Sequence, residues 1–461
     1  MMPLTRLVGE FIAGMDFSAL PQAAVAMARN GLTDLAAVTI LGRDMPIARL
    51  LRAMATTAQR GGEARLCFTK EGASAVEAAL INGAAGHALD YDDIGIGVHP
   101  AHPSVVLGSA VLAEGEALGR SGRDVIAAYV TGYEVWVELG RRDRTPPHVK
   151  GWHPTATFGA VAAAAACARL RGLDARRAAT AVAIAASQAG GIVANYGTMT
   201  KPFHAGRAAQ VGVFSARLAA AGMTAAADAL ESSKGFLQAV SPKGEVDVDS
   251  PPAFGGAWWI LRHGLGFKLY PMCYGTHRAL DGMLALVAAH DVAAPDVAEI
   301  EVEMGPVQLV SLVNHDPTTG LEAKFSAEFA MAMAVIVRRA TLADVTDAFV
   351  QRPDVRAMMQ RVRVTVVEGA DTAGPDGSPL DRIVVTLKDG RRLERRLDHP
   401  RGHPQRPVGA DILWTKFDDC VRGALAENDA RRLFDRLQSL DRMESFAELP
   451  RIEAGVPALA P

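Results

Sequence analysis

From Thr155 to Arg171 the chain reads TATFGAVAAAAACARLR, and a run so rich in alanine favours one structure, a closely packed helix. Alanine loses no side-chain entropy in a helix, and its small side chain lets a neighbouring helix approach. The same small-residue texture recurs around residues 22–41, 104–118, 174–190 and 206–221, each predicted to be a helix. Hydrophobic residues make up 49% of the chain and aromatics only 6%, so small aliphatic side chains must fill the core. Ser74-Ala-Val-Glu77 and Ser121-Gly-Arg-Asp124 resemble capping boxes, and the second leads into Val125, Tyr129, Gly132, Tyr133 and Trp136 at helical spacing. The most apolar run, Ala160 to Ala168, ends at Arg169 and is too short to cross a bilayer, so no membrane span is expected.

The pattern then changes. Ala298 to Met304 alternates strictly, with Ile300, Val302 and Met304 on one face and Glu299, Glu301 and Glu303 on the other, as in a half-buried strand. Arg361 to Val366 alternates too, and Ile383–Leu387 faces Leu393–Leu397 across Asp389-Gly390, a hairpin signal. Helices fit 276–290 and 324–338 between them. The Pro-rich segment His399 to Pro407 reads as a linker to helices at about 411–426 and 428–440. The fold class expected is mainly α: an all-helical domain from residues 1–264 and 405–461, and a smaller α+β domain at 265–404.

With 48 Lys and Arg against 51 Asp and Glu, the chain shows no electrostatic footprint for nucleic acid or an anionic membrane. Met1 to Asp16 carries Arg6 and Glu10 and lacks an uninterrupted signal-peptide core, so a soluble cytoplasmic protein is expected. Cys67, Cys167, Cys273 and Cys420 lie far apart, which indicates neither a disulfide framework, a zinc knuckle nor an iron–sulfur cluster.

Chemistry concentrates in a few loops. Residues 197–207, Gly-Thr-Met-Thr-Lys-Pro-Phe-His-Ala-Gly-Arg, place Lys201, His204 and Arg207 near a predicted helix start, which suits a carboxylate. Similar loops hold Asp90-Tyr-Asp-Asp93, His99-Pro-Ala-His-Pro-Ser104, Gly151-Trp-His-Pro-Thr155 and Gly266-Phe-Lys-Leu-Tyr-Pro271, and together they suggest one composite pocket. His99-x-x-His102 beside the aspartates invites a metal reading, but Pro100 and Pro103 break the helix that would align the pair. Acid–base chemistry needs less, so His102 and His153 are the candidates, while His87, inside an apolar helix, is assigned to structure. Lys201 and Lys268 would hold carboxylates as point charges; no phosphate loop accompanies them to favour a pyridoxal-phosphate lysine. Dinucleotide, P-loop and nucleophile-elbow motifs are missing, which leaves proton chemistry without a cofactor on an anionic substrate.

Several of these motifs, taken in order, resemble the MmgE/PrpD family. They are Asn82-Gly83 with His87-Ala-Leu-Asp-Tyr-Asp-Asp93, His102-Pro-Ser104, Gly132-Tyr-Glu134, Gly151-Trp-His-Pro-Thr155, Gly197 to Ala209, Tyr270-Pro with Cys273 and His277, and Glu322-Ala-Lys-Phe-Ser326. The family includes 2-methylcitrate dehydratase, cis-aconitate decarboxylase and iminodisuccinate epimerase. The resemblance implies a helical domain built from both chain ends, an α+β lid, a homodimer, and a metal-free pocket between the domains. It carries pocket roles onto Asp90, His102, His153, Lys201 and Lys268. It also shows two departures: Ile94 stands where the decarboxylases have a threonine, and Ser311 or Leu312 where they have a tyrosine.

The resulting expectation is a hydro-lyase acting on a small di- or tricarboxylate with no cofactor and no metal. Lys201 and Lys268 bind and stabilise charge, His102 and His153 move protons, and Asp90 orients one of them. His204, Arg207, His277 and Ile94 are expected to touch the substrate. An epimerase, a decarboxylase and a non-catalytic carboxylate-binding protein are the alternatives.

Overall fold

The computed structural model describes residues 3–56, 59–60, 62–95, 99–367 and 380–452. The C-terminal end of the predicted helical domain, 453–461, lies outside them.

The alanine-rich segments form the helices Gln22–Gly42, Ala75–His87, Pro103–Ala117, Gly122–Gly140, Pro154–Leu170, Ala175–Ala186 and Thr200–Ala220. Small residues set how closely they pack. A Cβ on Gly206 would lie 2.2 Å from the Leu80 carbonyl oxygen, and one on Gly212 would lie 2.3 Å from the Ala163 Cβ, so backbones here touch directly. Helix Gln22–Gly42 is long and apolar enough to cross a bilayer by length and composition, and its apolarity is accounted for by burial among the other helices.

One apolar core runs from Leu4 to Phe267 and resumes from Leu413 to Ile452; a second runs from Tyr270 to Leu387. The second surrounds a four-stranded sheet in which Val297–Met304 pairs in parallel with Val362–Val366 and antiparallel with Asp381–Leu387, which pairs with Arg392–Leu397. Helices His277–His290 and Ala327–Val337 pack with it.

The larger body is not purely helical. Gln59–Arg60, Ala64–Arg65 and Glu71–Ala73 form a small sheet, and Ile94–Gly95 pairs with Leu265–Gly266. Pairings of two or three residues are too short for alternation to show in a sequence.

The Gly132-Tyr-Glu134 motif ties down the chain leading to Lys268. Tyr133 donates its hydroxyl to the Gly264 carbonyl at 2.6 Å, and Glu134 accepts the Ile260 N–H at 3.1 Å. Burial pushes the Glu134 carboxyl up from 4.5 to about 7. Between those values the unfolded chain has released this proton and the folded chain has not, so the penalty is absent below 4.5, grows to about pH 7 and is constant above. Glu134→Gln keeps an acceptor for Ile260 and removes the penalty. Its advantage over the parent in urea melts is expected to grow by about 3 kcal/mol from pH 4.5 to 8; parallel pH dependences would refute this.

Candidate functional site

The site begins where helix Ala75–His87 stops. Asp90 follows with φ +52°, a left-handed conformation that aspartate tolerates better than most side chains. The turn sends its carboxylate toward two lysines: Oδ1 is 2.5 Å from Lys201 Nζ and Oδ2 is 3.0 Å from Lys268 Nζ. Lys268 also donates to the Asp90 backbone carbonyl at 2.7 Å. All three groups are buried. Burial alone would raise the Asp90 carboxyl, but Lys201 and Lys268 override it and hold it well below the usual carboxylate range. Burial would likewise depress Lys268, and Asp90, then Asp92, hold it above its ordinary value.

Asp92 organises the histidines. Its Oδ1 lies 2.9 Å from His87 Nδ1 and its Oδ2 lies 2.9 Å from His102 Nδ1. The His102 Nδ1 is also 2.9 Å from the Asp93 carbonyl oxygen. Both neighbours are acceptors, so Nδ1 carries the proton and Nε2, 4.0 Å from Asp90 Oδ1, is left for chemistry. His102 is thus oriented by Asp92, where the sequence pointed to Asp90. His87 accepts from Lys201 at Nε2, 3.1 Å away, and burial pushes it down to about 4, which keeps it neutral. Its place at the end of an apolar helix hid this link to the site.

His102 and His153 are presented alike. Each occupies the N-cap position of a buried helix with proline following, Pro103–Ala117 and Pro154–Leu170, and neither side chain caps its helix. Lys201 arrives in the first turn of a third helix, Thr200–Ala220, so three helix N-termini face the same space and favour an anion there. Lys268 is delivered by the Ile94–Gly95 and Leu265–Gly266 pairing, with Ile94 opposite Gly266.

A cavity of about 1050 Å³, its open mouth included, is lined by Asp90, Ile94, His102, His153, Lys201 and Lys268. The second core contributes Arg278, Ser311 and Phe325 to its wall. The Pro-rich segment, expected to be only a linker, contributes Pro400 and His403, with Asp398 just ahead of it, and Gly402 accepts the N–H of Phe267 next to Lys268. Phe325 and Tyr196 place their rings 5.4 and 5.5 Å from the Lys201 ammonium. Lys324, one residue before Phe325, is buried, donates to the Pro271 carbonyl at 2.8 Å and is pushed down to about 7 by that burial.

Three expected substrate contacts are not at the cavity. Helix Thr200–Ala220 starts ahead of Pro202, because proline in the first turn lacks only an N–H that would go unused. Arg207 therefore lies within the helix, about 120° around it from Lys201, exposed and donating to Gln210. His277 is enclosed between Tyr270 and Tyr274, each ring 5.1 Å away, with Nε2 3.3 Å from the Met272 carbonyl. His204 lies behind His153, their Nδ1 atoms 3.1 Å apart.

The metal reading of His99 with His102 does not survive, since His99 lines a separate small pocket with Tyr133 and Trp136. A different group, His87, Asp90, Asp92 and His102, brings donor atoms within 4.8 Å of one another. The Asp90 oxygens are engaged by two ammonium groups and His87 accepts from one of them, so this donor set is matched to lysine cations.

The chain is similar to known proteins over most of its length. It is 29% identical to cis-aconitate decarboxylase of Mus musculus over 399 residues, which covers 82% of this chain and 78% of that protein. The human cis-aconitate decarboxylase is also 29% identical, over 82% of this chain and 79% of its own length, and the Aspergillus terreus one is 26% identical over 81% and 80%. Residues 6–249 match the MmgE/PrpD N-terminal domain and residues 270–442 the MmgE/PrpD C-terminal domain. Two domain models in order, together covering most of the chain, establish that this protein belongs to the MmgE/PrpD family.

Proposed function

We propose that the protein is a lyase that acts on a small di- or tricarboxylate without a cofactor or metal. The observation that carries this reading is the buried arrangement of Lys201, Lys268, Asp90 and His102 on one cavity. Two lysines hold one aspartate, which leaves a positive charge for a substrate carboxylate. When a bond next to that carboxylate breaks, its electron pair spreads onto the carboxylate, and cations already in place lower the barrier. His102 and His153 supply and remove protons at the reacting carbon or leaving group. The smaller body, which contributes Arg278, Ser311 and Phe325, acts as the lid.

Decarboxylation is the first reading, supported by the names of the relatives. Dehydration is the second, supported by Ile94 in the cavity wall, where the resemblance gives decarboxylases a hydroxyl, and by Ser311 or Leu312 where it gives them a phenol. Citrate, methylcitrate, cis-aconitate and iminodisuccinate analogues incubated with the enzyme in heavy water and followed by NMR separate the outcomes. Carbon dioxide release with one deuterium incorporated marks a carboxy-lyase, and a new double bond without carbon loss marks a hydro-lyase. Exchange with inversion and no net bond cleavage, or binding of all four without turnover, would overturn the lyase reading.

A further inference from the structure

His153 lines the cavity, while His204, three residues beyond Lys201 on the same helix, does not. Their Nδ1 atoms are 3.1 Å apart, and both rings are buried. A hydrogen bond between two imidazole Nδ1 atoms requires one to donate and the other to accept, so the tautomers of the two rings are tied together. If His153 donates, its Nε2 is bare and basic; if His204 donates, the His153 Nε2 holds a proton and is an acid. The geometry is held from both sides. The His153 backbone N–H donates to the Gly191 carbonyl at 3.0 Å, and Gly191 lies so close to the His204 ring that a Cβ there would sit 3.1 Å from its Cγ.

We propose that His204 is the proton partner of His153, and that the pair moves one proton between its two Nδ1 atoms while His153 serves the substrate. The inference rests on the acid–base role given to His153 above. In the forward step the substrate C–H bond breaks, its electron pair stays on the substrate, and its proton joins His153 Nε2. The Nδ1 proton of His153 passes to His204 Nδ1. His153 ends neutral with its proton on Nε2, and His204, which already carried a proton on Nε2, ends as the imidazolium. Decarboxylation runs the same transfers in reverse: the C–C bond breaks, its electron pair stays on the substrate carbon as carbon dioxide leaves, His153 Nε2 gives that carbon its proton, and His204 Nδ1 returns a proton to His153 Nδ1.

The surroundings favour the charge on His204. His153 faces Lys201, His87, His204, His102 and Tyr196, whereas His204 faces His153 and Lys201. Burial and then Lys201 push both imidazoles below their usual range, and His153 alone has His87 and His102 opposing a positive charge as well. A proton taken up at the cavity is thereby moved one ring away from the cations that would expel it. His204 is a positioning and proton-holding residue here, not one that touches substrate.

Two measurements on the full-length enzyme test this. In ¹⁵N-histidine NMR of the ligand-free protein, assigned with His153→Gln and His204→Gln, the two rings are expected to take up one shared proton on acidification, with His204 shifting toward the imidazolium first. Independent titrations, or His153 charging first, would overturn the proposal, and this measurement needs no substrate. In kinetics on whichever carboxylate is turned over, His204→Gln preserves a hydrogen-bonding partner for Nδ1 but cannot take a second proton. It is expected to lower kcat by roughly ten-fold or more with KM little changed, and to match His204→Ala. Glutamine restoring parental kcat where alanine does not would show that His204 only holds the ring. His204→Asn serves in place of either variant that fails to fold by circular dichroism. If none of the carboxylates is consumed while the shared titration is present, the lyase reading fails and the histidine pair stands.

Discussion

Asp90→Asn is expected to destabilise the fold by about 3–5 kcal/mol at pH 7, the usual cost of removing one partner from a buried ion pair, and to leave no measurable turnover. Asparagine is the right substitution because it accepts the left-handed backbone at this position as readily as aspartate, so the charge is changed and the turn is not. Lys268 would retain the Asp90 backbone carbonyl, but both ammonium groups would lose the carboxylate that now lies within ion-pair distance of each. The pH dependence separates this effect from general damage. The folded-state carboxyl lies well below its ordinary value of 3.8, so its stabilisation is complete above that value and is lost as pH falls toward the folded one. Parent stability should therefore drop steeply as pH falls below 3.8, while the variant, already without the pair, should lack this component. Chemical melts across the acid range up to neutrality decide it; a variant about as stable as the parent at neutral pH would mean that the lysines find other counter-charges and Asp90 is dispensable to the fold.

How far the molecule is legible in its sequence depends on whether a feature is local. The long helices are, because alanine-rich texture and caps at Ser74 and Ser121 are carried by adjacent residues, and the structure shows both side chains bonded as caps. The strand Val297–Met304 announces itself by alternation. The start of helix Thr200–Ala220 is harder to place because Gly197 and Pro202 both look like punctuation, although a first-turn proline is compatible with a helix. Lys201, Lys268, His102 and His153 are recognisable as candidates from their rigid loops. Which of three neighbouring aspartates faces which partner is not, because that depends on the positive φ of Asp90, a tertiary outcome. His87 is hidden by its apolar helix, and His403 by a proline-rich stretch whose contact with the cavity comes from distant parts of the chain.

His102→Gln is expected to lower kcat by roughly 10²–10⁴, the range that a positioned general acid or base supplies. Glutamine fills much of the same buried space, and a matched melting curve would show that the loss is chemical. The role of Asp92 follows from the same geometry. Its Oδ2 and the Asp93 carbonyl oxygen both lie 2.9 Å from His102 Nδ1. In Asp92→Asn the carbonyl alone still fixes the proton on Nδ1, so the tautomer is kept, but the negative charge that stabilises a protonated ring is gone. The expected loss is therefore intermediate, roughly ten- to a hundred-fold in kcat, well short of the roughly 10⁴-fold drop expected when an orienting carboxylate also controls the tautomer. Because Asp92 acts through His102, the double variant should be no slower than His102→Gln by itself. A double variant slower still would assign part of the Asp92 effect to its other partner, His87, and through it to Lys201. Parental rates in His102→Gln would remove His102 from the chemistry and leave His153 and Lys201 as the groups able to move the proton.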